Sequence, residues 1–294
     1  MAKTAIIRLD TDKYRKPTQE DMRIAKEYVL KRDDAARLAW DMASEYIMAA
    51  VEQIVRVAYK YNIPPEKFSF DSSVNKKMME EINNIMDELD DTLFELLQVE
   101  STSCTKDKDN KLWLIALLIT LGHRKMSFRE TLQAYEWRML HQVGAIIASS
   151  KYEKLPMSTT LANIRQYISK INQNPQLNQV TSKYRQLFSN PYINNGGKAT
   201  YPDGSPNVRG VPIEGFNAIK MLFGNAIAHI WMRNQMLEWS QNSGIAGYYQ
   251  MRGSNYPCSI CDDEVGFHEN ADPNNDPFPH VNCKCYRIPV YFKS

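Results

Sequence analysis

The sequence is short of several things that would assign it quickly. It has no excess of charge: 36 Lys and Arg stand against 34 Asp and Glu, for a formal net charge of +2. The basic residues are also scattered, which disfavours a dedicated nucleic-acid binder, whose basic stripe would show. It has no long apolar run. The longest, Leu112 to Leu121, is interrupted by Thr120 and closed by Gly122, His123, Arg124 and Lys125; it is about half the ~20 residues that span a bilayer. Met1 to Arg15 has no apolar core and no small-residue cleavage site, so no signal peptide is expected there. There is no internal repeat, no low-complexity tract, no phosphate-cradling glycine loop and no Ser-His-Asp order. These absences point to a cytosolic or cytosol-assembled protein, in which thiols stay reduced and bind metals rather than pair.

What is present is the balance of a soluble globular chain, with 43% hydrophobic and 24% charged residues over 294 positions. Most of it has helical periodicity. Thr18 is placed to cap a helix after Pro17, with Glu20 and Asp21 suiting its first turn. The pattern runs to Tyr61, with a break expected near Asp33 and Asp34, and Pro64 and Pro65 stop it. A second helix is expected from Ser73 to Val99, and an apolar one from Leu112. Ser127-Phe-Arg-Glu130 reads as a capping box opening a helix to Ala148. Further helices are expected over Ser158 to Ile171 and Leu177 to Phe188.

Turn signals crowd residues 190–212, and a domain boundary is expected at Asn190, giving regions 1–190 and 191–294. Beyond it, Phe216, Ile219, Phe223, Ile227, Ile230 and Leu237 share one face of a helix from Ile213 to Gln241. Ala246 to Arg252 and Tyr286 to Phe292 read as short strands that would pair with each other. The expected fold is therefore mainly α, with a small C-terminal α+β domain closed by a Cys/His zinc-type motif.

That motif carries the chemistry. Four of the five cysteines fall in the last 37 residues, as Cys258-x2-Cys261-x18-His280-x2-Cys283-x-Cys285. Thiolates and imidazoles suit a tetrahedral, borderline-soft ion, and zinc is the ion expected. Five candidates compete for four positions, and spacing alone does not choose among them. The stretch Asp262 to Pro279 holds little that would form a core, so metal closure would supply its order. Disulfides would require secretion, which nothing indicates. A redox Cys-x-x-Cys would open a helix after a buried strand, and no such helix is expected here.

A catalytic zinc is not expected. Tyr256-Pro-Cys-Ser-Ile-Cys261 superficially matches half of the zinc-deaminase pattern, but no His-x-Glu precedes it. A full set of Cys and His ligands also leaves no position open for water. DNA contact by this segment is disfavoured too: between Gly253 and Cys285 stand Asp262, Asp263, Glu264, Glu269, Asp272 and Asp276 against Lys284 alone.

A long helix, Gly244-x-x-Gly-Tyr-Tyr249, Cys258-Ser-Ile-Cys261, Gly266, Pro279-His-Val-Asn-Cys-Lys-Cys285 and Arg287-Ile-Pro289 together resemble the C-terminal domain of phage Mu F-like head-morphogenesis proteins. The Tyr201-Pro-Asp-Gly204 turn is reminiscent of some minor capsid relatives. The resemblance covers residues 200–292. Two features depart from the family: Val265 stands where an acidic residue or His is common, and Phe267 follows Gly266 at once. What the resemblance implies is a non-enzymatic, low-copy minor head protein, oligomeric in the particle. It would associate with the portal and the procapsid interior in the virion. Its partners would be the portal protein, other head proteins and, if it enters the head, packaged DNA; no membrane is expected. Two other classes remain open, a zinc-dependent enzyme acting on nucleic acid and a helical adaptor.

Outside the motif, Trp113, Trp137, Trp231 and Trp239 fall at helical positions and are expected in the core or between helices. His229 reads as a satisfied, partly buried side chain. Met86-Asp-Glu-Leu-Asp-Asp91 reads as a solvated helix face, and Cys104 as a bystander in a polar loop.

Overall fold

The first helix starts where its cap chemistry dictates. In a computed structural model describing residues 9–70, 73–121, 126–173, 215–253, 259–274 and 285–293, helix α1 spans Gln19–Lys60. Thr18 Oγ1 accepts from the Asp21 N–H at 3.2 Å, and the Asp21 carboxylate accepts from the Thr18 N–H at 2.7 Å. Each end thereby satisfies an otherwise orphaned donor. The break expected near Asp33 and Asp34 does not occur. The helix holds no Pro or Gly, and the two carboxylates are matched locally by Arg32 and Arg37. Asn62 then takes φ 45°, a left-handed stop that Asn tolerates, before Pro64 and Pro65.

Helices α2 (Lys76–Ser101), α3 (Lys108–Thr120), α4 (Phe128–Tyr152), α5 (Met157–Gln173) and α6 (Gly215–Ser240) follow, so the protein is mainly helical. The capping box at Ser127 forms as expected, with both reciprocal hydrogen bonds present. The region 174–214, with the expected Leu177 to Phe188 helix and the Asn190 boundary, lies outside the described residues. Among the described residues, no helix is long and apolar enough to cross a membrane.

The described residues fall into two compact units. One draws on the chain up to Ala39, on Leu97–Leu118 and on the chain from Phe223; the other on Trp40–Leu96 and Ile119–Leu222.

In the second unit, Trp40 meets Phe216 edge-on at 4.8 Å, and Tyr59 Oη hydrogen-bonds the Leu155 carbonyl at 3.0 Å. Two expectations are corrected here. Trp137 is 38% exposed, because the buried stripe of α4 runs through Leu132, Glu136, Met139 and Val143 and leaves position 137 outside it. The Met86–Asp91 run is not wholly a solvated face. Asp90 is buried and accepts from Arg129 Nε at 2.7 Å and Gln133 Nε2 at 3.0 Å, while Asp87 and Glu88 stay exposed. The helical period turns Asp90 inward beside Leu89 and Leu93. Glu136 is 2% exposed, and desolvation, reinforced by the Asp90 charge, pushes its carboxyl up to about 9.

In the first unit, the face of α6 read from the sequence is buried at Phe223, Ile227 and Ile230, with Leu237 half-buried. Trp231 is buried and packs 5.4 Å from Tyr28, whose hydroxyl donates to the Trp231 carbonyl at 2.6 Å. Trp113 and Trp239 are half-buried. His229 is half-buried and accepts from Arg233 Nε at 3.1 Å.

The sheet belongs to this unit. Strands β1 (Ile245–Met251), β2 (Gly266–Glu269) and β3 (Tyr286–Tyr291) form an antiparallel sheet in the order β2-β1-β3. The expected pairing of the two strand candidates is present, from Met251↔Tyr286 to Ile245↔Tyr291, with a bulge near Ala246. The stretch Asp262 to Pro279, read as lacking core-forming residues, supplies β2 and the second half of the short helix α7 (Ser259–Glu264). Phe267 is buried there with Tyr14, Ala246 and Val290. One aromatic residue suffices because a strand only four residues long needs one inward anchor.

Two glycines make the close pairing possible. A Cβ at Gly247 would lie 2.1 Å from the His268 carbonyl oxygen, and Gly266 enters β2 at φ 141°.

The sequence gives no sign of the element that covers the β3 edge. Residues 13–15 run antiparallel to it, with the Arg15 N–H donating to the Tyr291 carbonyl at 2.9 Å and Lys293 N–H to Lys13 at 2.9 Å. Tyr14 lies across the sheet, 5.0 Å from the Phe267 ring, and donates to Glu269 Oε1 at 2.6 Å. The strap thereby occupies backbone groups that an edge strand would leave unpaired.

Candidate metal centre

The pairing of β1 with β3 decides where the cysteines go. Cys285 sits immediately before β3, and the third residue of α7 is Cys261. Both are 3% exposed, and together they form a small buried cluster of their own. One comes from the Cys-x-x-Cys half of the motif and the other from the Cys-x-Cys half. The fold therefore brings together segments 24 positions apart.

Cys258, His280 and Cys283 lie outside the described residues. Among the described residues, no group of three or more Cys, His, Asp or Glu side chains stands ready to hold a metal. The donor set nonetheless fits such an ion: two sulfurs are already buried together, and each has a further candidate two or three residues away along the chain.

One expectation about this segment is corrected. A helix does follow Cys258, because Ser259–Glu264 form α7. It is a helix of six residues, separated from β1 by residues 252–258, and Cys261 faces inward from its middle rather than opening it.

The surroundings were less legible in the sequence. Arg252 follows β1, and its guanidinium pairs with the carboxylate of Asp262, the residue after Cys261. Burial works against the Arg252 charge; the bond to Asp262 and the negative potentials of Asp262, Cys261 and Cys285 outweigh it and raise its basicity. On the same module, His268 stacks on Tyr248 with ring centroids 4.8 Å apart and planes 5° apart, and its Nε2 lies 2.8 Å from the Glu264 carbonyl. Arg287 is buried, lies 4.8 Å from the same Tyr248 ring and donates to Gln250 Oε1 at 2.9 Å. His268 and Arg287 thus hold the sheet together, and neither was singled out by spacing. A signal for Arg252 was available: it is the last cation before a run of six carboxylates.

Cys104 stands apart from the motif, in the turn Thr102–Cys104, where its Sγ lies 3.5 Å from the Ser101 carbonyl. Burial, with a smaller contribution from Glu238, pushes its thiol up to about 12.

No protein-family model, curated protein or solved structure matches this chain.

Proposed function

We propose that the chain is a structural minor head protein of a bacteriophage, non-enzymatic, associated with the portal and the procapsid interior. Its C-terminal sheet module is held closed by one zinc ion on four of Cys258, Cys261, His280, Cys283 and Cys285. The observation that carries this reading is the burial of Cys261 beside Cys285, one from each half of the motif, the first in the middle of α7 and the second immediately before β3. It supports the metal directly and the family resemblance through the metal. The zinc supplies a cross-link between the two halves and, fully ligated, no open position for chemistry.

The exposed carboxylates of Asp262, Asp263, Glu269 and Asp272 suit contact with a basic protein surface rather than with phosphate. The expected partner is therefore the portal or another head protein. Mass spectrometry of purified particles of a phage encoding this chain is expected to find it at low copy. Co-expressed portal protein is expected to retain it on an affinity column. Absence from particles together with no retention by the portal contradicts the proposal.

A further inference from the structure

The antiparallel register pairs Met251 with Tyr286, so one more step along it sets Arg252 opposite Cys285. The other end of the Arg252 side chain reaches the opposite half of the motif, where it pairs with Asp262 beside Cys261. Its side chain is 23% exposed while that of Asp262 is 59% exposed, so the guanidinium is the more enclosed partner. It stands between the two segments whose cysteines are buried together.

A zinc ion bound by four thiolates carries a net charge of minus two, and by three thiolates and an imidazole minus one. Burying that charge is costly unless a cation or donors lie against it. From Gly253 to Cys285 the chain offers six carboxylates and a single Lys, so the local sequence adds negative charge instead of removing it. Among the described residues, Arg252 reaches both segments, through its ion pair with Asp262 and its place one step beyond the Met251–Tyr286 pair.

Resting on the reading of a metal centre given above, we propose that Arg252 is the outer-sphere cation of the thiolate centre. It clamps the Cys261 segment to the Cys285 segment and balances the charge of the metal-bound thiolates. It is a positioning residue and does not itself ligate. A guanidinium suits the task because its charge is permanent and its planar fork holds a fixed orientation against Asp262. Asp262 in turn fixes the orientation of the fork, as outer-shell carboxylates do around ligated metals.

The test is metal affinity of the full-length chain, stripped by chelation under reducing conditions and titrated with cobalt(II), then competed with zinc. Thiolate-to-cobalt absorption reports the centre, and circular dichroism reports the fold. Arg252→Gln is expected to weaken zinc binding by at least ~10-fold, with helix content unchanged. Arg252→Lys is expected to restore most of the loss, because it returns the charge. Lys293→Gln, which removes an exposed charge from the same module, is expected to leave affinity unchanged. If Arg252→Gln does not fold, Arg252→Met, which keeps the bulk and removes the charge, is read instead and is expected to weaken zinc to the same extent. Wild-type affinity in Arg252→Gln, or in Arg252→Met where that is read instead, overturns the role of Arg252 while the metal centre stands. A lysine variant as weak as the glutamine variant overturns the charge component. A wild-type chain with no thiolate-to-cobalt band overturns the metal centre itself.

Discussion

Cys261→Ser is expected to release the metal and to unlock the sheet while the helices α4 and α5 keep their structure; Cys258→Ser is expected to do the same. The physical reason is that, beyond the short β2–β1 ladder, the His268–Tyr248 stack and the Tyr14–Glu269 hydrogen bond, the segment between the two halves of the motif buries little apolar surface. It contributes Phe267 to a cluster with Tyr14, Ala246 and Val290, but Asp262, Asp263, Glu269, Asp272 and Asn274 all face solvent. Structural zinc contributes on the order of 10 kcal/mol in isolated small modules, and that energy is folding energy. Loss of one thiolate removes much of it and leaves Cys285 buried beside a serine. The checking measurement is amide hydrogen exchange. Protection in β1, β2 and β3 is expected to fall by at least ~100-fold, equivalent to about 3 kcal/mol, and residues 13–15 should follow because they pair with β3. Protection in α4 and α5 should not change, since both lie in the other compact unit. A uniform loss that includes those helices contradicts a locally stapled module.

The second large effect belongs to Glu136. Its carboxyl is raised to about 9 in the folded chain by burial first and by the Asp90 charge second, with Arg129 opposing and Asp87 adding to the shift. In the unfolded chain it titrates near 4.5. Between those values the folded state holds one proton that the unfolded state has released, so stability falls as pH rises. The contribution is fully present below the unfolded value and is lost as pH climbs through the folded one. The slope approaches ~1.4 kcal/mol per pH unit. Glu136→Gln keeps a neutral side chain of similar shape and is expected to flatten that slope. Denaturant unfolding at pH 5, 7 and 9 should therefore show the wild type losing stability relative to the variant, by about 2 kcal/mol over the first interval. Parallel pH dependences in the two proteins contradict a neutral buried acid at this position.

How far the sequence speaks depends on whether the deciding interaction is local. The Thr18 cap, the Ser127–Glu130 box and the apolar stripe of α6 are set within one or two turns, and each is found where it was read. The pairing of β1 with β3 was legible because both are short runs rich in aromatic and aliphatic residues that flank the cysteine segment. Strand β2 was not, because four residues with one aromatic anchor carry too little pattern. Asp33 and Asp34 misled because their neutralising arginines are also local but act against the breaking tendency. Asp90 and Glu136 were hidden because an acid on a helix is ordinarily solvated, whereas these two fall on the buried stripes of α2 and α4, where Asp90 meets Arg129 and Gln133. At the candidate site, residue types and spacing gave five candidate ligands, and the fold adds that Cys261 and Cys285 are buried together. Arg252, Asp262 and the strap at Tyr14 are tertiary facts; the last joins residues 255 positions apart.

The most direct test of a metal-stapled module is elemental analysis of the purified chain, combined with thiol accessibility before and after chelation. About one zinc per chain is the predicted result, with the four C-terminal thiols protected until the chelator is added, or three if His280 is a ligand and one cysteine is spare. No metal, with those thiols reacting freely from the outset, contradicts it and leaves the sheet to be held by packing alone.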